Sequence, residues 1–308
     1  MASRAVSEAA PGVTGRLRLG CPVWACADWR GSLYTEGARR EQWLGQYAEV
    51  FGAVEGSASF YALPPADTVR RWAAEAPASL RLCFKVPKAL SHEAQLRDVL
   101  DGLFEFLERM APLGERLGPF LLQLGPRFAP EHLSDLERAL PCFPREFDVA
   151  VEVRHPGWYA DPDAEARLDA LLQRYRCERA LFDTRVIHAL SPAEAAADAS
   201  TAEARRKKPV LPLRTQALGR KPFLRFVGLN RLDAADPELR VWARHIAGWL
   251  REGREPHVFT HTPDDRHAPL LAARLHGFLR EELPGLPPLP VFPGLRAPLA
   301  PVQQDLFG

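Results

Sequence analysis

Eight short apolar runs recur along this chain, each followed by a longer stretch in which apolar residues return every three or four positions. No other feature restricts the fold so strongly. The runs cover residues 17–21, 50–55, 80–85, 120–123, 149–153, 180–183, 223–226 and 257–260. Short apolar runs rich in β-branched and aromatic residues, bounded by turn formers, are how parallel strands buried on both faces read. The intervening stretches, such as 40–48, 66–75, 96–109, 130–139, 164–175, 237–252 and the final 269–282, have the periodicity of helices with one buried side. Eight strand–helix repeats in roughly 270 residues match a (β/α)8 TIM barrel. No glycine-rich dinucleotide loop follows any run, which disfavours a doubly wound sheet. The expected organisation is therefore α/β, a single barrel domain over residues 16–283. A mobile Ala/Ser/Gly tail over 1–15 precedes it, and a Pro-rich linker with a terminal peptide over 284–308 follows.

Charge appears where buried strands should carry none. The stretch Asp148-Val149-Ala150-Val151-Glu152-Val153-Arg154-His155-Pro156-Gly157-Trp158 starts as a buried strand and ends in an acid, a fixed cation, an imidazole and a large aromatic ring. Buried ionisable groups cost free energy unless they are paired or used. The pattern repeats: Glu55, Lys85, Gln123, Asp183 and Arg225 end or lie within other runs, and His261 follows the eighth. In a barrel these ends converge on the rim that carries active sites. A structural ion pair accounts for one or two such positions and poorly for the whole set.

Glu55 and Glu152, on the second and fifth runs, fit an acid–base pair, metal ligands or glycosidase-like carboxylates. With His155 and His261 they form the candidate catalytic set. Lys85, Arg154 and Arg225 supply the cations to hold a phosphate or carboxylate. His92, Gln123, Asp183, Trp24, Tyr61 and Trp158 complete the candidate substrate-binding set, the aromatics as a stacking wall. No cofactor is evident, and the cations compete with a divalent metal, which is disfavoured.

A net charge of +1 excludes a global field for nucleic acid or membrane, so an anionic partner must meet a local patch. Five scattered cysteines without CxxC spacing indicate neither a disulfide framework nor a zinc knuckle, and no apolar stretch is long enough to span a bilayer. A cytoplasmic protein is expected. Residues 191–222 read as a long loop, Ala-rich and then basic through Arg205, Arg206, Lys207 and Lys208, placed on the candidate rim.

Several motifs in order carry a resemblance: Gly20-Cys21-Pro22-Val23-Trp24 with Trp29, Gly31 and Tyr34; Val54-Glu55 with Ser59-Phe60-Tyr61; Phe84-Lys85-Val86-Pro87 with Ser91-His92; Leu122-Gln123-Leu124; Val151 to His155 with Trp158; and His261-Thr262-Pro263-Asp264-Asp265. Together they resemble the YecE-like family, domain of unknown function 72, over about residues 19–279. The resemblance implies a TIM barrel and no particular reaction. Ser57 and Ala62 stand where that family often has Asn and Arg, and Val227 where many members have His.

The reaction expected from the residues is acid–base hydrolysis of an anionic substrate, a phosphoester or a nucleic-acid end. The alternative is a barrel that binds a ligand or nucleic acid without turnover. At the C-terminus, Gln303, Asp305, Leu306 and Phe307 resemble the peptide with which bacterial replication and repair proteins dock onto the sliding clamp.

Overall fold

The computed structural model describes residues 14–296. Eight strands run β1 (Arg18–Cys21), β2 (Ala53–Gly56), β3 (Arg81–Phe84), β4 (Phe120–Gln123), β5 (Val149–Glu152), β6 (Glu178–Asp183), β7 (Phe223–Val227) and β8 (His257–His261). Their order is β3-β2-β1-β8-β7-β6-β5-β4, and every pairing is parallel. The remaining seam between β3 and β4 is spanned by parallel bridges at Leu82–Leu117 and Lys85–Leu121, with Val86 N donating to Leu121 O at 3.0 Å. A nearly closed (β/α)8 barrel results.

Closure divides the strand side chains into two sets, because successive residues point to opposite faces. Ala53, Cys83, Leu121, Ala150, Ala180, Phe223 and Phe259 form a compact cluster of their own, the inner layer of the barrel. Their strand neighbours Val54, Leu82, Leu122, Val151, Leu181, Leu224 and Val258 belong instead to the large outer core. There they meet helical residues such as Phe106, Leu168, Trp242, Ile246, Leu271 and Leu275. Each fully buried large apolar side chain of this kind contributes about 1.5–3 kcal/mol.

Two segments depart from the expectation. The stretch read as a long loop after β6 folds into helices Pro192–Ala196 and Ala199–Lys207. Ser191 caps the first through a reciprocal box with Glu194, and Asp198 caps the second by accepting from Ser200 N at 3.1 Å. The alanines that looked featureless are the best helix formers. The Pro-rich segment read as a linker packs back on the barrel as far as Arg296: Leu286 and Phe292 are buried, and Phe292 meets Phe51 edge-on at 6.0 Å. Prolines prevent a strand there, but the apolar residues between them still find the core. At the other end the chain is anchored from Thr14 and Gly15, whose amides both donate to Leu250 O. Gln303, Asp305, Leu306 and Phe307 lie outside the described residues. Among those described, the five cysteines are free and no helix is long and apolar enough to cross a membrane.

Candidate functional site

Two residues beyond the inner apolar layer, on the same face of each strand, stand Glu55, Lys85, Gln123, Glu152, Phe182, Arg225 and His261. Parity along the strand places this polar ring at the C-terminal mouth. Arg225 is its hub: Nε and Nη2 donate to Glu55 at 2.6 and 3.1 Å, and Nη1 donates to Glu152 at 2.6 Å. Lys85 Nζ stands 2.9 Å from Glu55, while Glu152 accepts from Arg154 Nε at 2.6 Å and from Gln123 Nε2 at 3.0 Å. The Phe182 ring lies under both guanidinium groups, 5.1 Å from that of Arg154 and 4.8 Å from that of Arg225.

These contacts decide how the groups are charged. Burial would raise both carboxyls, but Arg225 and Lys85 outweigh it at Glu55, which sits well below the usual carboxylate range. Arg225 and Arg154 do the same at Glu152 and bring it down to about 2. Carboxylates held this low and this fully hydrogen-bonded are poor proton acceptors at neutral pH. The acid–base role expected of Glu55 and Glu152 therefore does not suit their surroundings, which fit them to anchor Arg225, Arg154 and Lys85.

Other groups are better matched to proton transfer. His261 is brought to about 4 by burial and by Arg225, so it is neutral at pH 7. Its ring lies between Glu55 Oε2, 3.7 Å from Nε2, and Asp265 Oδ1, 3.9 Å from Nδ1. His261 Nε2 and Asp265 Oδ1 are buried atoms without a hydrogen-bond partner. Burial pushes Asp265 up to about 6, and its backbone holds a left-handed φ of 59°, a conformation that costs a non-glycine residue free energy. Lys208 is lowered to about 8 by burial and by Arg225, Arg154 and Lys85, and among the described residues no carboxylate lies within ion-pair distance of it. His92 is brought to about 4 by burial and by Arg154.

Above the polar ring opens a cavity of about 800 Å³, lined among others by Arg154, Lys208, His92, Phe60, Asp265 and Ser200. The helix Ala199–Lys207 thus forms part of its wall. Tyr61, 80% exposed, stands at the entrance. Arg154 spends only Nε on Glu152, and its two terminal amino groups have no hydrogen bond among the described residues. Among those residues no group of three or more His, Cys, Asp or Glu side chains is arranged to hold a metal ion.

The structure brings Glu55, Lys85, His92, Gln123, Glu152, Arg154, Arg225, His261 and Tyr61 together at the mouth. Four candidates lie elsewhere. Asp183 and His155 each follow an inward residue by one position and so face outward. Asp183 accepts from Arg185 and from Trp242 Nε1 at 2.7 Å, and His155 Nδ1 accepts from Gly157 N at 3.0 Å. Trp158 is fully buried in the outer core, its Nε1 donating to Phe128 O at 2.7 Å. Trp24 lines a neighbouring cavity, edge-on to Trp72. Sequence reasoning assigns no role to Phe182 or to Asp265. Extending the alternation from Ala180 would have found the first; the buried acceptor of the second has no signature in sequence.

Comparison with known proteins agrees with this architecture. Residues 18–293 match the family model described as Protein of unknown function DUF72. The chain is 36% identical over 276 residues to UPF0759 protein YecE of Escherichia coli strain K12, covering 89% of this chain and 97% of that protein. The crystal structure of a DUF72 family protein from Thermotoga maritima superposes with a TM-score of 0.64 at 20% identity, covering 87% of this chain and 99% of that one. One from Enterococcus faecalis gives 0.66 at 20% identity, covering 86% and 95%. At that identity the two structures speak for the fold alone.

Proposed function

This chain belongs to the DUF72 family of proteins of unknown function, and from the chemistry of its barrel mouth we propose that it is a hydrolase-type enzyme for small or terminal anionic phosphoesters. One observation carries the reading: the Arg154 guanidinium is fixed through Nε by Glu152 over the Phe182 ring, with its remaining donors unused among the described residues, beside a Lys208 that makes no ion pair there and feels only the more distant Asp265. A cavity whose cations exceed their fixed partners is built for an incoming anion, and a planar guanidinium suits two phosphate oxygens at once. Lys85 and Arg225 lie beneath, paired with Glu55 and Glu152, and Glu152 holds Arg154 by one edge only.

Proton transfer then falls to Asp265 and Lys208, both in the cavity wall. Ionised above about 6, Asp265 accepts a proton from the attacking water, with its buried Oδ1 left free of any hydrogen bond among the described residues and the neutral His261 ring 3.9 Å away. Lys208, protonated below about 8, gives a proton to the departing oxygen as its bond to phosphorus breaks. Arg154 stabilises the charge that builds on the phosphoryl oxygens. Two titratable groups set on either side of neutrality are the expected arrangement for such a pair.

The test is a screen of phosphomonoesters and short phosphorylated oligonucleotides for product release, with thermal shift recorded alongside. Turnover should disappear in Asp265→Asn while sulfate still binds. Thermal shifts with every anion and product from none would replace the enzyme reading by that of a binding barrel. A separate proposal is that the terminal peptide with Gln303, Asp305, Leu306 and Phe307 docks the protein onto a bacterial sliding clamp; its support is the motif alone.

A further inference from the structure

Beside the mouth lies a second cavity, and we infer that it takes the planar heteroaromatic ring of the same ligand whose anionic group enters the mouth. This rests on the phosphoester reading and narrows it to nucleotide-like molecules, in which a phosphate and a ring with hydrogen-bonding edges are joined by a short spacer.

The second cavity measures about 430 Å³ and shares two of its lining residues, Val23 and Ser57, with the mouth. The compartments are therefore neighbours across one thin wall. That wall is Ser57 and the short helix Ala58–Tyr61: Ala58 lines the groove, whereas Phe60 and Tyr61 line the mouth. Ser57, with its small side chain, faces both compartments.

Within the groove, Trp24 stands edge-on to Trp72, ring centres 5.4 Å apart at 88°, and Trp72 stacks on Phe84 at 5.2 Å. Trp24 is thus braced from behind, yet it is only half-buried and lines the open space. Braced indole rings offer a stacking platform at little entropic cost. Around the platform, Thr68, Arg40 and Glu41 provide a hydroxyl, a donor and an acceptor, and Arg40 and Glu41 have no ion-pair partner among the described residues. Glu75 is paired with Arg71 at 3.9 Å, so the groove carries two acids against two bases and no excess positive charge to draw a second anionic group. An alkyl chain would use the aromatic wall and ignore the rim. A flat ring edged with donors and acceptors uses both.

The experiment is calorimetric titration of the full-length protein with inorganic phosphate, ribose 5-phosphate, adenosine and adenosine 5′-monophosphate. The last should bind roughly ten- to a hundredfold more tightly than ribose 5-phosphate, the size of one base–aromatic stack. Trp24→Leu should erase that increment and leave phosphate binding unchanged. Thr68→Trp, which fills the groove from a half-exposed helix position, should do the same and covers the case in which Trp24→Leu unfolds. Equal affinities for the two sugar phosphates, or an equal loss for phosphate and nucleotide in Thr68→Trp, would overturn the inference. Adenosine binding that Thr68→Trp abolishes, without any phosphate binding, would uphold the groove and remove the phosphoester reading. No binding of any probe would remove both.

Discussion

Replacing Arg225 by Met keeps much of the side-chain length and removes the cation that both buried carboxylates share. In the intact protein Arg225 donates twice to Glu55 and once to Glu152, at 2.6 to 3.1 Å, and all three side chains are at most 5% exposed. Solvent screening is therefore slight. Glu55 would keep Lys85 and Glu152 would keep Arg154 and Gln123, so each loses one cation of two; removing one side of a buried ion pair costs about 3–5 kcal/mol. That is the loss expected near pH 8. Its pH dependence follows from the carboxyls. In the intact protein Glu152 sits at about 2 and Glu55 well below its ordinary value, so their stabilisation is complete above the unfolded carboxylate range and fades only as pH falls through the folded values. Without Arg225, burial moves both carboxyls upward, and the folded variant binds protons more readily than its unfolded chain. Its deficit should therefore shrink between about pH 8 and about pH 5. Urea denaturation of both proteins across that range, with slopes compared so that the loss is read from the midpoint, measures it. A loss under about 1 kcal/mol near pH 8, or one that does not change with pH, would refute the picture of Arg225 as the clasp between two buried acids.

Sulfate, which does not titrate in this range, should weaken first as Asp265 ionises through about 6 and again, by about tenfold, as pH rises through about 8, where Lys208 gives up its proton; Asp265→Asn should remove the first step and Lys208→Met the second. For any phosphoester that is turned over, kcat/KM should be bell-shaped, rising through about 6 as Asp265 ionises and falling through about 8 as Lys208 is neutralised, and Asp265→Asn should remove the acid limb with the activity. Arg154→Ala should weaken sulfate binding by about ten- to a hundredfold, the loss of one charge-assisted contact, and leave little salt dependence; unchanged affinity would place the anion elsewhere. A labelled peptide of residues 301–308 should bind a bacterial sliding clamp, and the same peptide with Leu306→Ala and Phe307→Ala should not; equal negligible binding by both ends that proposal.

The barrel could be read from sequence because its strands are short, apolar and regularly spaced, and because burial on both faces leaves few other ways to pack them. The mouth could be read in outline for the same reason: a charged residue at the end of such a strand needs a partner or a use, and Glu55, Lys85, Glu152 and Arg225 found one another. What single positions do was harder. Strand parity separates Arg154 from His155 and Phe182 from Asp183, and an assignment made by residue type ignores it. Trp158 shows the same limit, since an indole placed after a strand can face a ligand or, as here, donate to Phe128 O inside the core. The saturation of Glu55 and Glu152 is a matter of ångströms between residues far apart in the chain. So is the setting of Asp265, which feels Lys208 across the cavity from a segment some sixty residues earlier in the chain.

The inner apolar layer of Ala53, Cys83, Leu121, Ala150, Ala180, Phe223 and Phe259 stoppers the barrel beneath the charged ring. That layer closes the floor of the mouth. Whatever enters past Tyr61 and the Ala199–Lys207 helix therefore leaves on the same side of the barrel. For any phosphoester that is turned over, the released anion then obstructs the next arrival and should act as a competitive inhibitor, with throughput governed by how quickly that side clears.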